Sequence, residues 1–510
     1  MTIARTLSCV TVAVDGHVID VEAHVSDGLV GMNVTGLADA SVNESRDRVR
    51  AAVLNTGARW PQKRITVGLS PAWLPKHGSG LDLAIATAIL AADDQIRSES
   101  MNSTMFFGEL ALDGRVRPVR GTLIAAMAAA RQGCRRIFVA AEDCAEAALV
   151  SGIDVVGVTS LAEVMSLLGS SIAVPNFEII NPIAPPSDDE TPQLDFSQVK
   201  GQPWAKFALE VAAAGGHHLA MLGSPGVGKT LLASRLPSIL PPLDEQSALE
   251  VTAIASVVGR HTASALQVAP PFAAPHHTAS YTALVGGGSG VPVIGMVTQA
   301  HRGILFLDEA PEFATNVLDA LRQPLESKRV ILSRRTFTVE LPANFQLVIA
   351  ANPCPCGYSF VRDGSCYCTP MQKRRYLGRI SGPLLDRIDI RVVVDPVSPA
   401  IITDDGEILE SSEQIRQRVT AARQRARNRL AGTPWSCNAD VPGPQLREMF
   451  SLSPSATSKL STTSNNSARG VDRIAKVAWS VADLRGHDSP TIDDVDVAQQ
   501  LRNAGGRWAA

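Results

Sequence analysis

The sequence lacks long apolar segments. None of its hydrophobic runs reaches the ~18 to 20 residues that a membrane-spanning helix needs. Its first residues also lack the basic-then-apolar pattern of a secretory signal. These absences argue against a membrane partner and predict a cytoplasmic protein, in which the eight cysteines serve as thiols or metal ligands rather than disulfides.

A dominant charge is also missing. The net charge of −3 and the pI of about 6.4 exclude a protein coated with basic residues for nucleic-acid binding. They leave room for a local ring of Lys and Arg that grips phosphates inside an acidic assembly. With 510 residues, 45% of them hydrophobic and 19% charged, the chain has the length of roughly three globular units and no mark of wholesale disorder.

Changes in pattern divide the chain into four parts, without an internal repeat. Residues 1–172 alternate short strands with helical stretches, as in a compact α/β domain. Residues 173–193 hold five prolines and an acidic run, which is typical of a linker. Residues 194–397 form a second α/β unit, and residues 398–510 are mainly helical.

A glycine-rich segment follows an apolar strand and precedes the helical stretch that opens at Leu231. Its pattern, G-x-x-x-x-G-K-T, is that of a phosphate-binding P-loop in the expected strand-to-helix context. Backbone N–H groups of such a loop turn toward phosphates, and the helix N-terminus adds a positive dipole. The segment consists of Gly223, Ser224, Pro225, Gly226, Val227, Gly228, Lys229 and Thr230. Lys229 is predicted to hold the β- and γ-phosphates of ATP, and the Thr230 hydroxyl to ligate Mg²⁺.

Two more apolar strands end in polar residues suited to the same site. The first ends in Asp308 and Glu309, which we expect to bind Mg²⁺ and to polarise the attacking water, respectively. The second ends in Asn352, which we expect to orient that water. The three segments together predict an ATPase with ATP and Mg²⁺ as cofactors.

At these residues the chain resembles the YifB/ComM family of magnesium-chelatase-like AAA+ proteins, over nearly its whole length. The motifs that carry the resemblance lie at 275–278, 286–288, 300–303, 321–326, 352–357 and 381–389. The resemblance implies an N-terminal Lon/S5-like α/β domain, a three-layer α/β AAA+ core and a C-terminal helical lid. It also implies a homo-oligomeric ring, usually a hexamer, with each ATP at a subunit interface.

Two arginines gain their roles from the resemblance alone. Arg387 matches the arginine finger that reaches the ATP of the neighbouring subunit, and Arg469 matches the sensor 2 arginine that couples the lid to the nucleotide. Arginines on helices are otherwise usually solvated.

Two inserts match family segments expected to face the pore of the ring. The glycine-rich stretch 276–295 is interpreted as a flexible loop, because it lacks the strand-to-helix setting of a phosphate site. Residues 328–340 predict a hairpin. Its four cations, Lys328, Arg329, Arg334 and Arg335, fit either a nucleic-acid backbone contact or a solvated, charge-guarded edge.

A cysteine cluster follows Asn352 directly. Cys354, Cys356, Cys366 and Cys368 form C-x-C-x₉-C-x-C, the thiol count of a tetrahedral zinc site. The C-x-C spacing is tighter than the usual C-x₂-C. A structural Zn²⁺ site and a loop of free thiols therefore both remain open.

Residues 1–172 resemble the Lon protease catalytic domain without its catalytic pair. Gly80 stands where the family has its nucleophilic serine, and Leu123 where it has its lysine. Neither side chain can perform Ser–Lys chemistry, although Ser79 lies one position away and Lys76 is a nearby amine. We therefore expect no protease activity.

Three functions compete at this point. The resemblance favours a sequence-independent DNA motor that drives branch migration or helicase action in recombination or natural transformation. The alternative is a chelatase-like remodeller of a protein partner or metal-insertion complex. An ATP-dependent protease is the third and is disfavoured by the missing pair.

Overall fold

The computed structural model describes residues 3–37, 40–178, 194–259, 265–288, 293–333, 338–360, 365–398, 400–401, 409–461 and 468–503. The chain folds into two compact units. Residues 1–190 and 245–267 form the first, and residues 191–244 and 268–510 form the second. The return of 245–267 to the first unit is a feature that neither the predicted linker nor the predicted domain boundaries anticipate. Most of that linker, residues 179–193, lies outside the described residues.

The first unit is built on a seven-stranded mixed sheet with the strand order β3-β4-β2-β1-β5-β8-β9. Its strands are β1 Ile3–Val12, β2 Asp15–Ser26, β3 Gly31–Thr35, β4 Arg64–Ser70, β5 Thr104–Phe106, β6 Glu109–Leu110, β7 Val116–Arg117, β8 Arg136–Ala140 and β9 Asp154–Val158. Its helices are α1 Ala40–Asn55, α2 Asp82–Ala92, α3 Thr122–Arg131, α4 Cys144–Ala147, α5 Leu161–Leu167 and α8 Glu245–Val257. Every residue of α2 is buried, as its alanine- and isoleucine-rich sequence predicts.

The returning helix α8 completes part of the first core. Its Ala253 is buried in the same hydrophobic cluster as Leu123 and Ile124. The Ser256 hydroxyl donates a hydrogen bond of 2.5 Å to Glu146 Oε1. This segment is therefore part of the first unit and not a surface loop of the second.

The structure leaves no room for larger side chains at the two positions that the resemblance matches to the Lon catalytic pair. A Cβ built on Gly80 would lie 2.6 Å from Cε2 of the Phe107 ring, which is itself buried. Leu123 is fully buried. The two nearby candidates are engaged elsewhere, since the Ser79 hydroxyl donates to Glu109 and the Lys76 amine donates to the Pro71 carbonyl.

The second unit is built on a five-stranded sheet with the order β11-β14-β17-β10-β18, in which all neighbouring strands are parallel. The unit's strands are β10 Leu219–Leu222, β11 Phe272–Ala273, β12 Gly286–Gly287, β13 Val293–Ile294, β14 Ile304–Leu307, β15 Arg329–Ser333, β16 Thr338–Pro342, β17 Gln346–Ala351 and β18 Ile390–Val393. Every residue of β10, β14 and β17 is buried. Such continuous apolar runs are typical of parallel strands covered on both faces.

Helices surround this sheet and make up the C-terminal part of the unit. They are α6 Pro203–Gly215, α7 Lys229–Ile239, α9 Tyr281–Val285, α10 Met296–Gln299, α11 Thr315–Asp319, α12 Arg322–Ser327, α13 Pro370–Leu377, α14 Gly382–Leu385, α15 Ser412–Arg429, α16 Gly443–Met449, α17 Pro454–Ser461, α18 Ala468–Arg485 and α19 Ile492–Asn503. The α/β fold with a helical C-terminal region is thus confirmed. Among the described residues, no helix has the length and apolarity needed to cross a membrane.

A buried polar network joins α18 to the sheet. His217 lies between Asp389, at 3.0 Å from its Nδ1, and the Ser480 hydroxyl, at 2.7 Å from its Nε2. Burial raises the pKa of Asp389, but Arg473 and His217 outweigh it and hold that pKa well below its usual range. The network fixes the C-terminal helices through paired charges rather than apolar contact alone.

Both predicted inserts contain paired strands. Gly286 and Gly287 pair with Val293–Ile294, so the glycine-rich insert is not wholly a loop, although 289–292 lie outside the described residues. Strands β15 and β16 pair as the predicted antiparallel hairpin. Arg334 and Arg335, at its tip, lie outside the described residues.

The crowding at Gly80 generates a prediction for the first unit. Gly80→Ser should destabilise the protein by about 1 to 3 kcal/mol, because its Cβ overlaps the Phe107 ring. The variant should also cleave no peptide, because Leu123 supplies no base. Urea unfolding and a fluorogenic casein assay measure both. Gly382→Ser is the control, since a Cβ there meets no atom within 4 Å.

His218 generates a second prediction, for the second unit. Burial lowers its pKa to about 4, and Nδ1 accepts a hydrogen bond of 3.0 Å from the Leu347 N–H, which requires the neutral ring. The folded-state pKa lies below the unfolded value near 6.5, so this stability is complete above pH 6.5 and is lost as the pH falls toward 4.

His218→Asn keeps an acceptor oxygen but does not titrate. Urea unfolding should be measured at pH 7 and at pH 4. Between these two pH values, the free energy of unfolding of the wild type should fall by about 3 kcal/mol more than that of this variant. His24→Asn, on an exposed face of β2, should follow the wild-type curve. Equal losses for the wild type and His218→Asn would contradict the prediction.

Candidate functional site

The carboxyl ends of three buried strands meet at one edge of the five-stranded sheet. The P-loop follows β10, Asp308 and Glu309 follow β14, and Asn352 follows β17. Strand β17 lies between β10 and β14, with Leu222 paired to Ala351 and Leu307 paired to Ile349. Open α/β sheets bind their ligands in the crevice beyond this edge.

Lys229 begins α7, and its side chain is hydrogen-bonded to the start of the P-loop. Its ammonium group donates to the carbonyls of Gly223 and Ser224, at 2.7 and 2.9 Å, and to Asn352 Oδ1, at 3.0 Å. These bonds use all three of its donors. Burial lowers the pKa of Lys229, and the nearby Asp308 and Glu309 carboxylates oppose that shift.

The rest of the P-loop is arranged to approach an anion. Gly226 and Gly228 have φ values of +79° and +93°, which L side chains rarely adopt. Gly228 caps the N-terminus of the 11-residue helix α7. Pro225 and Gly226 are exposed, Val227 is half-buried, and Leu231 on the first turn of α7 is 40% exposed.

Two oxygen ligands suited to Mg²⁺ converge beside Lys229. The Thr230 hydroxyl donates a hydrogen bond of 2.6 Å to Asp308 Oδ2. Asp308 Oδ1 accepts from the Glu309 N–H at 2.9 Å, which fixes the carboxylate. A hydroxyl and a carboxylate are the hard oxygen donors that Mg²⁺ prefers, so this pair fits the ion that accompanies ATP.

Glu309 has a strained backbone. Its φ of +50° is a left-handed conformation that costs a non-glycine residue roughly 1 to 2 kcal/mol. Such strain clusters at functional sites because it aims a side chain. The Glu309 side chain is 51% exposed, and its Oε2 lies 3.7 Å from Nδ1 of His277.

His277 is a site residue to which sequence reasoning assigns no role. It belongs to the 275–278 motif, and its ring packs against that of His276 with centroids 4.1 Å apart. The fold places it against the carboxylate expected to activate water. The one signal in the sequence is the family motif, since neither periodicity nor spacing links residues 277 and 309.

Arg387 and Arg469 lie together in a separate cleft of about 400 Å³. Its lining residues are Glu326, Asp386, Arg387, Pro442, Gly443, Arg469, Asp472, Arg473 and Lys476. None of the P-loop residues 223–230 is among these described lining residues. The structure therefore brings the two predicted arginines to each other and not to the phosphate loop of the same chain.

The Arg387 guanidinium is held at several points. It forms an ion pair with Glu326 and donates to the Pro383 carbonyl at 2.6 Å. Its Nε is buried without a hydrogen-bond partner among the described residues. The Arg387 carbonyl accepts from Arg473 at 3.1 Å, a contact that the sequence does not reveal.

The four clustered cysteines meet in space. Their Sγ atoms all lie within 4.8 Å of one another. The other four cysteines, Cys9, Cys134, Cys144 and Cys437, are free thiols outside this cluster.

Comparison with known proteins covers nearly the whole chain. Family profiles match residues 21–143 (subunit ChlI of Mg-chelatase), 195–402 (magnesium chelatase, subunit ChlI) and 409–502 (magnesium chelatase, subunit ChlI C-terminal). An uncharacterized protein of Mycobacterium tuberculosis, Rv2897c, is 48% identical over 99% of this chain and 100% of its own length.

Two further relatives carry informative names. YifB of Escherichia coli is 40% identical over 95% of this chain and 94% of its own length. Competence protein ComM of Haemophilus influenzae is 39% identical over the same shares. Together with the AAA+ strand order and the P-loop at its edge, these matches establish that the chain belongs to the YifB/ComM family of magnesium-chelatase-like AAA+ proteins.

Proposed function

We propose that this protein is an ATP-hydrolysing motor that works as a homo-oligomeric ring. The observation that carries the proposal is the convergence of Lys229, Thr230, Asp308 and Asn352 at one sheet edge, with direct bonds from Lys229 to Asn352 and from Thr230 to Asp308. When bound, Mg²⁺ would screen the charge of the phosphate oxygens. Lys229 binds the phosphates, and Glu309 accepts a proton from the attacking water that Asn352 orients.

The position of the arginines supports the proposed ring. Arg387 and Arg469 line a cleft without a P-loop residue, so in this proposal they serve the ATP of the adjoining protomer. Glu326, whose side chain is 62% exposed, occupies Arg387 in the single chain. Because the Glu326 carboxylate is largely exposed, it would move into solvent when a γ-phosphate takes its place beside Arg387.

We propose DNA as the substrate, in helicase or branch-migration steps of recombination or natural transformation. The support is the similarity to the competence protein ComM over 95% of the chain. Binding would be to the phosphate backbone and therefore independent of sequence. The alternative is a remodeller of a protein partner or metal-insertion complex, which the ChlI matches favour.

An ATPase assay with and without forked DNA tests this proposal. The wild type should hydrolyse ATP only with Mg²⁺, and forked DNA should raise the rate several-fold at low salt but less at high salt. Lys229→Ala should lose nucleotide binding, whereas Glu309→Gln should bind ATP without turnover. Hydrolysis that DNA leaves unchanged would favour the remodeller, and absence of hydrolysis under every condition would overturn the motor.

A mixing experiment tests whether Arg387 acts between chains. Arg387→Ala alone should bind ATP but lose hydrolysis by 10³-fold or more, on the order known for arginine fingers. Mixed with Lys229→Ala protein, it should recover activity, because some interfaces then combine an intact P-loop with an intact arginine. Arg416→Ala, which removes an exposed pair with Glu413, is the control. Absence of recovery in mixed rings would contradict action in trans.

A further inference from the structure

The four clustered thiols have the separations of a metal site. Cys354 Sγ lies 3.3 Å from Cys356 Sγ and 3.8 Å from Cys366 Sγ, and the last two are 3.7 Å apart. A tetrahedron with Zn–S bonds of about 2.3 Å has S–S edges of about 3.8 Å. A disulfide would need about 2.05 Å, so the observed spacing matches the metal and not the bond.

The cluster has two arms, the pair Cys354 and Cys356 and the pair Cys366 and Cys368, and each arm is anchored to regular structure on one side. The first arm follows the end of β17 through Asn352. The second arm runs into the N-cap of α13, where the Thr369 hydroxyl accepts from the Gln372 N–H at 3.2 Å and Gln372 Oε1 accepts from the Thr369 N–H at 2.8 Å. Between these anchors, residues 352–360 and 365–369 contain neither helix nor strand. The described part of this segment therefore lacks a strand ladder, and its four thiols converge there.

The cysteine segment rests on the P-loop. Gly357 immediately follows Cys356 and has a φ of +84°. A Cβ built on Gly357 would lie 2.5 Å from both Cγ and Cδ of Pro225. Only a glycine permits this approach, so the Gly357 backbone and the Pro225 ring are in direct van der Waals contact.

Further contacts bind the same two segments together at their bases. The Gly223 N–H donates to the Ala351 carbonyl at 3.2 Å, and Lys229 donates to Asn352 Oδ1 at 3.0 Å. The P-loop is thus supported from one side by the chain that leads into the cysteine cluster. A displacement of the segment that follows β17 would therefore move the P-loop through these two hydrogen bonds.

We propose that Cys354, Cys356, Cys366 and Cys368 bind one Zn²⁺, and that this metal holds Gly357 against Pro225 so that the P-loop keeps the shape that binds nucleotide. Four soft thiolates in a tetrahedron favour Zn²⁺. The metal-site part is independent of the function proposed above. The supporting role rests on it, because it requires the P-loop to bind ATP.

Metal analysis of the purified full-length protein tests the site itself. Inductively coupled plasma mass spectrometry should find one zinc per chain, and Cys366→Ser should lose it. Cys437→Ser is the matched control, because Cys437 lies in the same unit but outside the cluster, and it should keep the metal. A wild type without zinc, or with iron in its place, would overturn the assignment.

Titration with a fluorescent ATP analogue tests the supporting role. Cys366→Ser should weaken binding 10-fold or more while Cys437→Ser leaves it unchanged. Gly357→Ala should keep its zinc and still bind several-fold more weakly, because the added methyl group displaces Pro225. Gly432→Ala is the control, since its φ of +81° imposes the same backbone strain where a Cβ meets no atom within 4 Å.

The outcomes separate the two parts of the inference from the proposed ATPase. Zinc that can be lost without a change in nucleotide affinity would refute the supporting role but not the site. If the wild type contained zinc and bound no nucleotide, the ATPase proposal would fail while the metal count stood. If Cys366→Ser does not fold, Gly357→Ala still tests the supporting role. Equal affinities of Gly357→Ala and Gly432→Ala for the ATP analogue would show that the contact between Gly357 and Pro225 does not support nucleotide binding.

Discussion

Parallel hydrogen bonding of β17 with β10 on one side and β14 on the other is the constraint on which the site depends. The paired strands end within a residue or two of each other, so the segments that follow them emerge at one edge. A shift of one residue in either pairing would turn the side chains to the opposite face of the sheet. Lys229 would then lose Asn352, and Thr230 would lose Asp308.

Around that edge, the second unit distributes its charges in two groups. Asp308 and Glu309 lie near Lys229 of the P-loop, whereas the cleft near Arg387 holds Arg469, Arg473 and Lys476 together with the acidic residues Glu326, Asp386 and Asp472. Arg473 ties the latter group to the fold, since it bonds both the Arg387 carbonyl and the buried Asp389 carboxylate. A change in the position of α18 would therefore be transmitted through Arg473 to the backbone of Arg387.

The sequence alone predicts those parts of the site that local pattern determines. The P-loop, the two carboxylates and Asn352 each follow a short apolar run, and such a run bounded by turn residues is consistent with a buried strand. Local pattern does not specify partners across space. The sequence therefore does not indicate that His277 reaches Glu309 or that Arg473 holds Arg387. It leaves open whether the four cysteines converge, as they do within 4.8 Å.

The sequence does not reveal the return of 245–267 to the first unit for the same reason. The apolar residues of α8 predict a buried helix, but they do not say which unit buries it, and Ala253 packs into the first. This has a consequence for biosynthesis. The ribosome completes residue 190 roughly 4 to 15 s before residue 267, at about 5 to 20 residues per second. During that interval the nascent N-terminal unit exposes the apolar surface of α3 that α8 later covers, which offers chaperones a defined and temporary target.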